Sequence, residues 1–239
     1  MGSFIVFNGI SSEDLHVVVQ HPPVYSFPEK DYEYQHVPGR SGDVLIDNHS
    51  YQNGERKYDC AIDARENGYT DTVSAVVAWL MSANGYCRLE DSYEPEYFRL
   101  ATFKDSGEIS NLYKQAGVFD LKFDCKPQRY LKLGEESIHV MVSDFKVKNP
   151  TLFYSKPIIR VTGGSGTGAI TVNNTSMVLY EVSTGMEIDC ESQDVYRGTS
   201  NLNSKVLIDS FPELQPGENT IYLSGGVTSV DIIPRWWTL

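Results

Sequence analysis

Apolar and polar residues alternate along most of this chain in short runs, and Gly, Pro, Asn or Asp interrupts nearly every run. A period of two gives an extended segment one apolar and one polar face, so the pattern predicts strands separated by turns. In the first half the candidate strands are residues 4–7, 15–20, 31–37, 43–46, 56–62, 97–103 and 116–125. In the second half they are 156–162, 169–174, 177–182, 187–189, 193–196, 206–208, 220–223 and 227–233, with no helical stretch among them. The glycine-rich residues 163–168 are expected to form a hairpin tip, and Gly225-Gly226 a tight reversal.

One stretch follows a different period. Val73, Val76, Val77 and Leu80 fall at helical spacing, Thr70-Asp71-Thr72 offers an N-cap, and Asn84-Gly85 supplies a left-handed stop. Valine is a weak helix former, so this helix must be held by packing against a sheet, with Trp79 flanking its buried stripe.

The pattern loosens between residues 125 and 149. Lys126-Pro127 ends a strand, Leu133-Gly134-Glu135-Glu136 is polar, and Lys146-Val147-Lys148-Asn149-Pro150 is turn-prone. A boundary near 130–145 divides the chain into two expected domains. Residues 1–133 form a β-rich domain with one α-helix and long hairpins, and residues 134–239 a jelly-roll β-sandwich. The last residues, Pro234-Arg235-Trp236-Trp237-Thr238-Leu239, are too aromatic for a loose tail. Neighbours on a strand face opposite ways, so at most one of Trp236 and Trp237 can enter the sandwich core. The other is expected against the domain linker or a neighbouring subunit.

Charge narrows the possible functions. The net charge is −12, with thirteen basic against twenty acidic residues up to residue 133 and seven against twelve beyond it. Acidity spread so evenly excludes a tight grip on a nucleic-acid backbone, which requires a basic groove. It is compatible with DNA passing nearby without being held. No apolar run approaches the roughly 18 residues of a membrane helix, and residues 1–7 lack the pattern of a secretory signal, so a soluble protein is expected. Cys60, Cys87, Cys125 and Cys190 are widely spaced and read as free, mostly buried thiols in a reducing compartment.

No catalytic, metal or cofactor constellation emerges. Residues 163–168 lack the Lys-Ser/Thr pair of a phosphate-binding loop, and Thr167 stands where a Gly-x-Ser-x-Gly elbow around Ser165 needs glycine. His16, His21, His36, His49 and His139 show no metal-ligand spacing. Carboxylate pairs such as Glu94/Glu96 and Glu135/Glu136 are what an acidic chain contains by chance. The sequons at Asn48, Asn173 and Asn174 read as chance matches without a secretory signal. Gly39-Arg40-Ser41-Gly42 reads as a surface turn, with Arg40 placed to reach an acceptor on a neighbouring subunit.

Three segments together resemble the distal tail protein (Dit) family of long-tailed, non-contractile bacteriophages. The first is Val37-Pro38-Gly39-Arg40-Ser41-Gly42-Asp43-Val44-Leu45-Ile46-Asp47, followed by Ser50-Tyr51-Gln52-Asn53. The second is Pro157-Ile158-Ile159-Arg160-Val161-Thr162-Gly163, continuing through Ile170-Thr171-Val172. The third combines Ile188-Asp189-Cys190-Glu191, residues 211–221 and the Pro234-Arg235-Trp236 ending. The resemblance implies a non-enzymatic homohexameric ring built from the first domain, with a galectin-like second domain projecting outward. It further implies a place at the distal end of the virion tail. The ring would join the tail tube protein to a tail-associated lysin or hub protein and to receptor-binding or baseplate proteins, and DNA would pass through it. Gly39, Arg40, Gly42, Trp236 and Trp237 are the candidate subunit or partner contacts. A carbohydrate-binding tail adhesin, with a sugar stacked on Trp237, is the alternative, and a small β-sandwich glycosidase a remote third reading.

Overall fold

The computed structural model describes residues 3–66, 68–104, 109–112, 116–182 and 184–239. Contacts divide the chain into two compact units, Met1–Arg129 with Leu239, and Tyr130–Thr238. Both are built mainly from strands, as the alternating pattern predicts.

In the first unit the strands are β1 (Ile5–Phe7), β2 (Ile10–Ser11), β3 (Val17–Val19), β4 (Lys30–Gln35), β5 (Val44–Tyr51), β6 (Gly54–Asp63), β7 (Cys87–Asp91), β8 (Tyr97–Phe103), β9 (Ser110–Leu112) and β10 (Ala116–Leu131), with helix α1 at Tyr69–Met81. The main sheet runs β2-β1-β7-β8-β10-β6-β3. A bridge between Ser3 and Val19 brings the far edge of this sheet back to the residues before β1, so the sheet curls on itself. Alternation is strict where two strands share the core: Arg56, Tyr58, Cys60 and Ile62 of β6 point inward, as do Phe119, Leu121, Phe123 and Cys125 of β10. Phe123 gathers Phe7, Tyr58 and Phe103 around it at centroid distances of 4.9, 6.1 and 5.7 Å.

Helix α1 closes this core through Thr72, Val76, Trp79 and Leu80. Trp79 is its anchor rather than a flank, because the indole Nε1 donates to the Phe7 carbonyl at 3.0 Å while the ring meets Phe7 edge-on. Val77, assigned to the buried stripe by spacing, is 46% exposed. Thr70-Asp71-Thr72 lies inside the first turn and does not cap it. The helix begins one residue after Gly68, and Thr72 Oγ1 donates back to the Gly68 carbonyl at 3.0 Å.

The second unit holds β11 (Ile138–Val140), β12 (Phe145–Asn149), β13 (Ile158–Val172), β14 (Thr175–Leu179), β15 (Met186–Asp189), β16 (Asp194–Arg197), β17 (Ser200–Asn201), β18 (Val206–Ile208), β19 (Gly217–Ile233) and β20 (Trp237–Thr238). Its sheet runs β11-β19-β13-β15-β16-β17, with β12 also on β19, and with β14 on β13 and carrying β18. Lys146-Val147-Lys148-Asn149, expected as a turn, is strand β12, and it buries Val147 and Asn149 on one face.

Two glycine expectations are corrected here. Residues 163–168 are no hairpin tip and Gly225-Gly226 no reversal; both lie inside the long strands β13 and β19, which pair antiparallel along their length. The register shifts between Thr162 and Gly168, where the bulged residues let both strands bend. Glycine is needed because the two backbones nearly touch. A Cβ on Gly163 would overlap the Gly226 carbonyl, and one on Gly225 the Thr167 carbonyl. On one side of the bend β13 pairs with β15, on the other with β14. The inward residues from both sides, Ile159, Val161, Val230 and Ile232 with Ile170, Val172, Ile221, Met177 and Leu179, share one core.

Candidate interaction surface

Strands β4 and β5 form a two-stranded ribbon separate from the main sheet. Neither of its faces is buried: Tyr34 is 67% exposed, Leu45 51%, and Val37 and Ile46 more than a third. The chain leading into the ribbon continues this surface, with Val24 82% and Phe27 95% exposed. An isolated two-stranded hairpin is marginal in water, and exposed apolar side chains gathered on one marks a contact surface.

The tip of the ribbon is the turn expected from sequence. Gly39 and Gly42 adopt left-handed φ of +82° and +81° with open space around them. The Arg40 N–H donates to the Val37 carbonyl at 3.2 Å, and His36 Nδ1 lies 3.2 Å from Asp43 Oδ1 across the loop. Arg40 is exposed and its side chain has no partner among the described residues.

At the ribbon's root lies a buried ionic cluster that has no local signature along the chain. Arg56, on β6, places Nη2 3.1 Å from both Asp91 Oδ2 and Glu94 Oε2. Tyr58 donates its hydroxyl to Asp91 Oδ2 at 2.8 Å, Arg99 Nη1 donates to Glu94 Oε2 at 2.6 Å, and Arg129 pairs with Glu94 Oε1. Asp91 Oδ1 accepts the N–H groups of Tyr93 and Glu94, which makes the turn after β7 part of the cluster. Burial opposes the charge on Glu94, but the hydrogen bond and charge of Arg99, the hydrogen bond of Arg129 and the charge of Arg56 outweigh it and hold the carboxyl below its ordinary value. Burial, followed by the adjacent Asp91 carboxylate, pushes the Tyr58 hydroxyl well above its ordinary value. Tyr25, in the approach to the ribbon, lays its ring 4.9 Å from the Arg56 guanidinium. The residues of this cluster stand up to 73 positions apart in the chain, so spacing could not have joined them.

The two tryptophans part company. Trp236 is 2% exposed and belongs to the core of the second unit, so its ring is not available to a partner. Trp237 finds a partner within its own unit: its ring stacks on Phe153 at 4.4 Å and 27°, and Nε1 donates to the Tyr154 carbonyl at 2.9 Å. Arg235, just before the two rings, turns the chain through the left-handed region at φ +54°. Its guanidinium grips Asp189 through both nitrogens, Nη1 at 2.7 Å and Nη2 at 2.9 Å. Burial opposes ionisation of Asp189, and the Arg235 pair overcomes it and lowers its pKa.

Beneath the 211–219 turn two buried asparagines serve as neutral pins. Asn149 Nδ2 donates to the Phe153 and Leu214 carbonyls, at 2.9 and 3.1 Å. Asn219 Oδ1 accepts the Gln215 N–H and the Asn173 amide, each at 2.8 Å, and its Nδ2 donates to the Gln215 carbonyl at 2.9 Å.

Among the described residues no group of three or more His, Cys, Asp or Glu side chains is placed to hold a metal ion. Burial pushes the thiols of Cys60, Cys125 and Cys190 up to about 12, which keeps them unreactive near neutrality. Among the described residues no helix is long and apolar enough to cross a membrane.

No family model matches the sequence, and no curated protein matches it. A solved structure does match in fold: SPP1 Dit (gp 19.1), described as a paradigm of the hub adsorption apparatus in phages that infect Gram-positive bacteria. The match covers 100% of both chains with a TM-score of 0.78 at 16% sequence identity. Along its whole length, this chain has the fold of SPP1 Dit.

Proposed function

We propose that this protein is a structural, non-enzymatic hub at the distal end of a phage tail. It assembles as a homohexameric ring that joins the tail tube protein to a tail-associated lysin or hub protein and to receptor-binding or baseplate proteins. DNA passes through the ring without being bound. The full-length likeness in fold to a hub adsorption protein carries this reading. The segments that resemble the distal tail protein family support it by where they lie: the first spans the ribbon tip and β5, the second β13, and the third β15, the 211–219 turn and the Trp236 ending.

The ribbon supports the ring physically. A closed ring of identical copies needs heterologous contacts, in which one surface of each copy meets a different surface of the next. An unpartnered ribbon with exposed Tyr34, Leu45 and Ile46 provides one such surface. The net charge of −12 suits a channel that must release DNA. The carbohydrate reading gains no support from Trp237, one face of whose ring is already stacked on Phe153.

Native mass spectrometry and negative-stain imaging test the proposal, on the protein alone and co-expressed with a tail tube protein and a tail-associated hub protein. Sixfold rings with a central opening are expected. A protein that stays monomeric in both settings overturns the proposal.

A further inference from the structure

The root of the ribbon carries a second, chemically different feature. A cleft of about 530 Å³ opens in the first unit, and Lys30, Arg56, Arg99, Lys126 and Arg129 line it together with one acidic side chain, Glu55, and the terminal residue Leu239, whose main-chain oxygen accepts from Arg129 Nη2 at 3.3 Å. Asp91 and Glu94 beneath the arginines, with the Leu239 terminal carboxylate, raise the acids to four against five cations, so the site keeps an excess of one positive charge in a chain of net charge −12. The donors are not used up. Lys30 lies 5.6 Å from the Tyr32 ring and Lys126 5.1 Å from the Tyr86 ring, and neither has a carboxylate partner among the described residues. Among the described residues Arg99 bonds through Nη1 alone, and Arg129, whose Nη1 and Nη2 bond Glu94 and Leu239, keeps a buried Nε without a hydrogen-bond partner.

Spare guanidinium N–H groups at fixed positions match the two oxygens of a carboxylate. The rim differs from the floor, because Tyr25 and Phe27, 58% and 95% exposed, flank the basic groups with apolar surface. A free inorganic anion has no use for that rim; an acidic side chain carried between apolar neighbours on a polypeptide does. The volume admits a short peptide segment rather than an extended strand or a nucleic-acid duplex.

We propose that this cleft is a docking site for an acidic peptide segment of a partner protein, with its carboxylate received by Arg99, Arg129, Lys30 and Lys126. This site does not depend on ring formation, since all of its residues belong to one unit of one chain.

The test is calorimetric titration of the full chain with hexaglutamate peptide, and separately with inorganic phosphate. The pair Lys30→Glu/Lys126→Glu, one exposed and one half-buried, lies outside the buried cluster, and an unchanged melting curve confirms that the variant is folded. Wild type is expected to bind the peptide at low salt and to weaken by about tenfold as salt rises from about 50 to about 500 mM. The double variant should lose at least about tenfold in affinity. Absence of peptide binding at low salt, equal binding by the double variant, or phosphate binding as tight as the peptide would each overturn the assignment.

Discussion

The chain contains two conspicuous antiparallel strand pairs, and they are held in opposite ways. The pair β13 and β19 has neighbours on both flanks and buries its inner face in a shared core. The pair β4 and β5 has neither, and shows its apolar side chains to solvent. Ladder hydrogen bonds are present in both, so they are not what separates them; burial is. The first pair is complete within one molecule, while the second has the composition of an interface and none of the cover.

Substitutions can break this contrast, and the largest effect belongs to the bend of the long pair. Gly225→Ala would drive a Cβ into the Thr167 carbonyl, at a φ of +64°, with Gly168 Cα 2.9 Å away. Neither backbone can retreat without opening the bulge, so a loss of about 3–5 kcal/mol is expected in urea denaturation. A loss below about 1 kcal/mol would mean that the close approach is not a constraint. Next comes Asn219→Ala. It strands the Gln215 N–H and two carbonyls beneath β19, for about 2–3 kcal/mol in the same measurement.

The ion pair at the end of the long strands should show in acid. Asp189 ionises more readily in the folded protein than in the unfolded chain, so its contribution is present above the unfolded value, about pH 4. That contribution is lost as pH falls through the lower folded value. Asp189→Asn should therefore flatten the decline of stability with acid below about pH 4, followed by circular dichroism. An unchanged slope would place the acid sensitivity elsewhere.

The smallest effects on the isolated protein belong to the ribbon. Gly39→Ala meets no neighbour within 4 Å and carries only its backbone strain, about 1 kcal/mol. Tyr34→Ser with Leu45→Ser should leave monomer stability within about 0.5 kcal/mol and yet abolish rings in native mass spectrometry. Rings that persist would mean that the ribbon's exposed face is not the subunit contact.

Alternation predicted most of the strands, because a period of two is a local property. It failed at residues 163–168 and at Gly225-Gly226, because glycine marks both a turn and a close approach of backbones. The distinction rests on which strand lies opposite, and that partner is some sixty residues away. Strand β7 was not recognised, since Cys87-Arg88-Leu89-Glu90-Asp91 shows little contrast between its faces. The ribbon tip was legible from Gly39 and Gly42. The ionic cluster was not, because Arg56, Glu94 and Arg129 look like ordinary surface charges until the sheet gathers them.

The length of β13 and β19 has a mechanical consequence. Fifteen and seventeen residues of extended backbone, at about 3.3 Å each, make two ties roughly 50 Å long that run through both sides of the bend. Tension along them is carried by covalent bonds, and parting them lengthwise means shearing many rungs together instead of unzipping them one by one. Such a unit can be pulled at one end without its two halves coming apart.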